Sequence, residues 1–472
     1  MTSAPTTVRS ELFGPQRGAT TVGIVLLISL VAFEAMGVGT AMPALVADLG
    51  GVALYAWPFV AFLAANVVGT VLGGRWSDRR GPRVPLLAGP LLFGAGLVVA
   101  GTATGMPQLL AGRVLQGLGA GSLAVAVFVL IAAVYPQRLR PAVFGLISSA
   151  WVLPSLLGPP VAGLVTEAFS WHWVFLGLVP LVVVATALVV PAVRGTGPAE
   201  AAAPARPGTV PAALAAAAGV AGLSWAGQDL GPVAVGVGAV SVLLLVPALR
   251  VLLPRGVFRA ARGVPSVVAG RGLLAGAFFG VNSYLPLTLT DVHGWSLTAA
   301  GIPLLAGSLG WSGASAWQGR RPDLPRPRLL RAGFVLITVG IAGMLLVTPA
   351  WGLPWLAVPF WISAGLGMGL GFSAVSYLLL AQSPEGTVGF HTSAAQMGDQ
   401  LMVAIAVGAG GALLALLATP AAALPVLVAA LAAVAALGIG VAGRSHVAEG
   451  AGTPSGTAPS DTAPASVSEE GT

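Results

Sequence analysis

The sequence predicts an all-α integral membrane protein of about fourteen transmembrane helices, and three observations carry that prediction. The chain is 56% hydrophobic and only 8% charged, with a mean hydropathy of +0.92, which no ordinary soluble domain shows. Apolar runs of about 20 residues, the length of helix that crosses about 30 Å of hydrocarbon, recur from end to end. The arginines fall in alternate loops between those runs, as the positive-inside rule requires of a multi-pass protein.

The spans are expected at residues 19–43, 56–74, 84–104, 107–134, 141–166, 172–192, 210–226, 231–252, 266–289, 296–317, 329–348, 353–381, 391–417 and 421–442. The seventh and eighth are the weakest, because "AALAAAAGVAGLSWAGQ" is short and rich in alanine. The arginines test the division independently. Arg9 and Arg17 precede span one, Arg75, Arg79, Arg80 and Arg83 follow span two, and Arg138 and Arg140 follow span four. Arg194 and Arg206 follow span six, Arg250, Arg255, Arg259 and Arg262 span eight, five more span ten, and Arg444 the last. The intervening loops carry none, so both termini are expected to be cytoplasmic. The loop after span twelve is the exception to the alternation, with Glu385 alone. Arg113 and Arg271 are left in or beside apolar segments.

Composition also excludes chemistry. With no Cys, disulfides, thiol redox and Cys-ligated metals are ruled out, and four scattered His suggest no metal site. No G-x-x-x-x-G-K-[ST] sequence occurs, so neither ATP nor any other cofactor is expected, and the driving force would be the proton gradient. A sequence pI of about 11.1 would suggest nucleic acid in a soluble protein, but these arginines flank membrane spans, so none is expected here. The expected partners are a small-molecule substrate, protons and the lipid bilayer, with the protein itself monomeric. All 22 Lys+Arg residues are Arg, and Ala, Gly and Pro abound, as in proteins encoded by GC-rich DNA, which points to a bacterial plasma membrane. No cleavable signal peptide is expected, because the first 18 residues are polar and the first apolar run is long. The division follows: a cytoplasmic segment 1–18, a six-helix bundle 19–192, a cytoplasmic linker 193–209, two additional helices 210–252, a second six-helix bundle 253–443, and a tail 444–472. The linker "RGTGPAEAAAPARPG" and the tail are expected to be disordered on composition.

Four stretches carry specific chemistry. "GGRWSDRRGPR", residues 73–83, places Gly74, Asp78, Arg79, Gly81 and Arg83 in the pattern G-x-x-x-D-R-x-G-x-R after span two. "RVLQGLGAG" opens with Arg113 in span four, "PSLLGPPVAG" holds Gly158, Pro159 and Gly163 in span five, and "LVAFEAMGVGTAMP" holds Glu34 nine residues before Pro43 in span one. Together with the six, two and six arrangement of spans, these motifs resemble the major facilitator superfamily, in its branch of fourteen-helix drug:proton antiporters. The resemblance covers residues 19–442. It departs at Pro154, where Gly is usual, and at Glu34, where Asp is commoner. It implies a major-facilitator fold of two six-helix bundles plus two extra helices, working by alternating access. It also implies a conformational latch at 74–83, proton coupling around Arg113, and an antiporter kink motif in span five.

The residues support a physical reading beside the resemblance. Glycines at 74 and 81 permit a tight turn and close helix approach, while Asp78 and the arginines can pair with one another or with helix ends. Topology alone accounts for Arg75 and Arg80. Pro159 and Pro160 remove helix hydrogen bonds, so a kink is expected where Gly158 and Gly163 allow close packing. A carboxylate in hydrocarbon is rare and usually functional. Counted from Pro43, Glu34 lies about 13 Å inward, and Arg113 about 9 Å inward from Pro107. The resemblance places spans one and four on the same central cavity, so the two are expected to be near each other. Desolvation favours the protonated carboxyl and a nearby cation the ionised one, so conformation or a cationic cargo could switch Glu34. The alternatives are a permanently neutral, hydrogen-bonded Glu34 and an Arg113 that snorkels outward.

Asp399, about 12 Å inside span thirteen, is the second candidate proton carrier, or else a partner of Gln396 or Gln400 in a helix interface. Arg271 is expected at the membrane interface. Asn282 and Tyr284 offer polar contacts to cargo or bridge helices, and Trp151 and the "WHW" at 171–173 read as packing and interfacial aromatics. The expected function is proton-coupled export of lipophilic or cationic small molecules, as in drug or antibiotic efflux. Proton-driven metabolite uptake and a lipid flippase stand as alternatives. An enzyme is not expected, since no clustered His, Asp or Ser constellation occurs.

Overall fold

The computed structural model describes residues 8–193, 208–229, 231–321, 323–384 and 387–446. The expected linker from 194 to 207, Glu385, residues 1–7 and the tail beyond 446 lie outside these residues. Regular structure among the described residues is helical throughout. In chain order the helices are α1 (Val8–Phe13), α2 (Gly18–Leu49), α3 (Trp57–Arg80), α4 (Arg83–Gly101), α5 (Met106–Val134), α6 (Arg140–Ala168), α7 (His172–Leu176) and α8 (Val179–Val193). They continue as α9 (Thr209–Ala226), α10 (Pro232–Leu252), α11 (Val264–Leu287), α12 (Leu297–Gly319), α13 (Arg326–Gly343), α14 (Ala357–Gln382), α15 (Val388–Leu417) and α16 (Pro420–Ala442).

Thirteen helical segments are long and apolar enough to cross a membrane, α7 and α8 counting as one. The tenth expected span, 296–317, forms α12, which has the length, but its Gly, Ser, Gln and Trp residues dilute its apolar character. The alanine-rich seventh and eighth spans form α9 and α10 as expected. Span one corrects the sequence reading, because α2 does not stop at Pro43 but runs on to Leu49. Pro43 removes one backbone hydrogen bond. Leu45 and Val46 beyond it are fully buried, so packing holds the extra turns until Gly50 and Gly51, at φ 149° and 85°, end the helix.

The first half packs α3 against α5, α4 against α5, and α2 against α6 and α8; the second packs α13 and α12 against α14, and α11 against α15 and α16. The halves meet along α6 with α12 and α3 with α15, with α2 touching α11 between them. Helix α9 packs on both α3 and α15, so it covers one of these seams, while α10 rests on α9 and turns residues such as Leu243 outward.

Apolar helices in lipid gain little from hydrophobic burial against each other, so close packing by small residues matters more. The α3–α5 contact illustrates this. A Cβ on Gly73 would lie 2.6 Å from the Ser122 Cα, whereas one on Gly74 would meet nothing nearer than Val125 Cγ1 at 4.0 Å. Close approach therefore belongs to Gly73 rather than to motif residue Gly74. Gly73→Val is expected to destabilise the protein by about 1–3 kcal/mol through overpacking, while Gly74→Ala is tolerated; thermal unfolding of the detergent-solubilised variants checks the contrast.

Candidate functional site

Glu34 lies midway along the 32-residue α2 and is completely buried. Arg113, two turns into α5 and 2% exposed, reaches across to it, and its Nη1 forms an ion pair with Glu34 Oε1. The same Nη1 donates to Gln116 Oε1 at 2.7 Å, Nε donates to the Pro58 carbonyl at 3.0 Å, and the guanidinium lies 4.5 Å from the centre of the Phe62 ring. Arg113 thus points into the bundle instead of snorkelling. Pro58 lies in the first turn of α3, which follows the Val52–Leu54 helical turn, and this brings its carbonyl within reach of Arg113. Glu34 Oε2 is buried and has no hydrogen-bond partner among the described residues.

Asp399 also meets an arginine. Arg271 Nε donates to Asp399 Oδ2 at 2.8 Å, joining α11 to α15, and its guanidinium stacks 4.6 Å from the Phe372 ring centre on α14. Both side chains are 13% exposed, so this pair is less sealed than the first. Neither Gln396 nor Gln400 is the partner, and Arg271 is no interfacial residue, since α11 begins at Val264 and places it about 10 Å inside the helix. The signal for this lay in Pro265, which belongs at the first turn of a helix.

The remaining motif residues separate. Gly81 ends α3 at φ 73°, which meets the expected turn. Asp78, Arg79 and Arg83 are exposed, and among the described residues they form no ion pair, so the expected charge lattice is not assembled in this conformation. Helix α6 remains one continuous helix through Pro154, Pro159 and Pro160. Its glycines make contact on two sides: a Cβ on Gly158 would approach Met36 of α2 at 3.3 Å, and one on Gly163 would lie 2.8 Å from the Thr298 backbone nitrogen of α12.

That contact belongs to a closed end of the molecule, opposite the 74–83 loop. Glu167 accepts from the backbone N and the hydroxyl of Thr298 at 3.0 and 2.7 Å, joining α6 to α12. Tyr55 donates to the Ser283 carbonyl at 2.7 Å and stacks on Tyr284 at 5.1 Å between ring centres, and Tyr284 donates to the Val407 carbonyl at 2.5 Å. Tyr284 is therefore a bridge between helices, not an open polar contact for cargo. The Tyr55 half of this bridge had no counterpart in the motifs. Among the described residues, no group of three or more His, Asp or Glu could hold a metal ion.

Comparison with known proteins adds a family. The profile of the Major Facilitator Superfamily matches residues 24–407. Multidrug resistance protein 3 of Bacillus subtilis (strain 168) is 34% identical over 160 residues, 34% of this chain and 31% of that protein. A probable multidrug-efflux transporter of Mycobacterium tuberculosis is 35% identical over 156 residues, 33% of each chain. An uncharacterized MFS-type transporter of the same species is 26% identical over 421 residues, 83% of this chain and 59% of the other. The matches to Multidrug resistance protein 3 and to a second Bacillus subtilis protein, Multidrug transporter protein MdtP, span about a third of those proteins' length, 31% and 33%. A crystal structure of a POT family transporter in complex with a thioalcohol-conjugated peptide superposes with a TM-score of 0.65 at 15% identity, covering 92% of this chain and 98% of that one; it shares the fold.

The geometry makes the first ion pair the more consequential for stability. Arg113→Met strands a buried carboxylate and is expected to cost about 3–5 kcal/mol, or less if Glu34 takes up a proton. Adding Glu34→Gln should recover much of that loss. Thermal unfolding of the two single variants and the double variant measures the coupling, and strict additivity would contradict a direct buried pair.

Proposed function

Since the chain belongs to the Major Facilitator Superfamily, we propose that it is a proton-coupled exporter of lipophilic or cationic small molecules, with Glu34 as the principal proton carrier. Membership in that family makes it a multi-pass membrane transporter and not an enzyme. The observation that carries the finer reading is the buried Glu34–Arg113 pair. Multidrug names among the relatives support the choice of cargo.

In the pair, the ionised carboxylate is held by the guanidinium, and release of either partner into lipid would be unfavourable. Protonation of Glu34 converts it to a neutral acid and removes the charge that Arg113 balances. Arg113 does not then need a new site, because Gln116 Oε1, the Pro58 carbonyl and the Phe62 face already hold it. A cationic cargo acts on the same balance from the other side, favouring the ionised carboxylate and hence loss of the proton. Proton and cargo therefore compete for one charge state, which is what exchange requires. Asp399, with Arg271, is the second carrier in this reading.

The contacts at Tyr55, Tyr284, Glu167 and Thr298 belong to one of the two states of the cycle, closed at the end opposite the 74–83 loop. With that loop cytoplasmic, as its arginines suggest, this state is closed on the exterior side. The Gly74–Arg83 charges would then assemble as a latch in the other state, and the Pro159 and Gly163 surface of α6 would slide on α12 between them, while Gly158 keeps α6 close to α2. The setting is a bacterial plasma membrane, and the cycle calls for no cofactor and a single copy of the chain.

In proteoliposomes with an inward-directed proton gradient, lipophilic cations are expected to evoke proton flux that disappears in Glu34→Gln. Flux unchanged in that variant would make Glu34 structural and move the proton site to Asp399, to be tested with Asp399→Asn. A second expectation uses the absence of cysteine from the chain. Oxidation of the double variant Glu167→Cys/Thr298→Cys should stop transport by fixing α6 to α12, and reductant should restore it; transport that continues while cross-linked would show that this seam does not open in the cycle.

A further inference from the structure

The role of the two additional helices is not contained in the proton site, but the structure gives their far end a distinct construction. Helices α10, α11, α15 and α16 and the loop between α10 and α11 enclose a cavity of about 240 Å³. Its lining includes Leu253, Phe258, Ala269, Leu273, Met402 and Val441, and no charged or hydroxylated side chain faces it. It is smaller than the roughly 300–1,000 Å³ of pockets that enclose a drug-sized molecule. That size and lining suit a length of hydrocarbon chain better than a whole cargo.

The loop that rims the cavity is folded rather than slack. Residues Val257–Arg259 form a helical turn, flanked by left-handed backbone at Gly256 (φ 92°), Ala260 (φ 44°) and Gly263 (φ 84°). A left-handed alanine is unfavourable and persists where the surroundings demand it. Here the turn buries Val257 and Ala260 against the cavity and turns Arg255, Arg259 and Arg262 outward. Exposed Arg250 adjoins the lining residue Leu249 on α10.

The end of α16 is drawn to the same place. Arg444 Nη1 donates to the Arg259 carbonyl at 2.9 Å, and the Arg444 carbonyl accepts from Ser266 Oγ at 3.0 Å and from the Gly263 nitrogen at 3.2 Å. Arg250, Arg255, Arg259, Arg262 and Arg444 thus lie on the segments that border one apolar opening, and the loop from 253 to 263 contains no acid. Topology requires arginines in this loop. It does not require the loop to fold over a cavity, nor a fifth arginine to be tied to it from 185 residues away.

We propose that the cavity and its arginine rim are a binding site for an anionic glycerophospholipid, with one acyl chain in the cavity and the phosphate among Arg250, Arg255, Arg259 and Arg262. The chemistry is complementary at both ends: hydrocarbon against an apolar lining, and phosphate against guanidinium groups at the headgroup level. The site also has a route to the transport machinery. Gly272 and Gly398 line the cavity, and they adjoin Arg271 and Asp399, so an occupant bears on the two backbone segments that carry the second ion pair. The additional helices then serve as one wall of a lipid site.

Native mass spectrometry of the full-length protein, titrated with phosphatidylglycerol or phosphatidylcholine of matched chains, tests this. Preferential retention of phosphatidylglycerol is expected. The triple variant Arg255→Gln/Arg259→Gln/Arg262→Gln should weaken it by roughly 100-fold, the effect of three surface arginines on an anionic lipid, while the triple Arg→Lys variant should retain most of it. Ala269→Phe, which fills the cavity and leaves every arginine in place, should also lose the preference. Equal retention of both lipids, or an unchanged preference in the glutamine variant, overturns the proposal. A preference that survives Ala269→Phe overturns it as well, since the headgroup would then bind to the basic surface alone. Glycerol 3-phosphate, which has the phosphate without the chains, should not compete at equal concentration; if it does, a free phosphate site replaces the lipid site. Unfolding temperatures of the variants close to wild type exclude misfolding as the cause of a loss.

Discussion

A carboxylate and a guanidinium enclosed together in a membrane bundle constrain everything around them. Among the described residues an ionised Glu34 has no support in the bundle other than Arg113, so α2 and α5 must keep a fixed relation for as long as both are ionised. Arg113 has three other supports, at Gln116, Pro58 and Phe62, all within its own half of the molecule. In the proposed cycle the pair couples protonation to the internal packing of one half, and that half moves against the other along the α6–α12 and α3–α15 seams. The closure is made of hydrogen bonds, two at Glu167–Thr298 and one at Tyr55–Ser283, which can be exchanged for water at modest net cost, and not of buried ion pairs.

The same economy of polar groups explains the helix surfaces. With backbone groups satisfied inside each helix, specificity of packing falls to shape, and the α3–α5 and α6–α12 contacts are shaped by glycine at Gly73 and Gly163. Tight contacts within a half and lightly bonded contacts between halves are what rigid-body rocking needs. The prolines of α6 fit this arrangement without interrupting the helix.

Most of the fold could be read from the chain because hydrocarbon imposes a length and the arginines impose an alternation, and both are one-dimensional signals. Even α9 and α10 emerged where the alanine-rich runs placed them. The errors arose where a local rule met tertiary packing. Pro43 looked like an end, but burial of Leu45 and Val46 carried α2 past it. The Glu34–Arg113 meeting was legible from depth and from the resemblance of the motifs, whereas the Asp399–Arg271 meeting was not, because it depended on where α11 begins and on which face of α15 turns toward it. Tyr55 carried no motif at all; its contact with Ser283 joins residues 228 apart in sequence, which no spacing rule reaches.

The two ion pairs are related but not equivalent, and the difference assigns them different work in the proposed cycle. In the first half the acid is on the first membrane helix and the arginine on the fourth; in the second half the arginine is on the first and the acid on the fifth. Each arginine also lies over an aromatic ring, Phe62 or Phe372, but the first pair is sealed while the second retains some exposure. A sealed acid can exchange its proton only when the bundle rearranges, which ties protonation to the conformational step. A partly exposed acid can equilibrate with its surroundings within one state, and so can set the charge that an arriving cation meets. Coupled exchange requires both properties, and placing them in opposite halves lets one rocking motion govern each in turn.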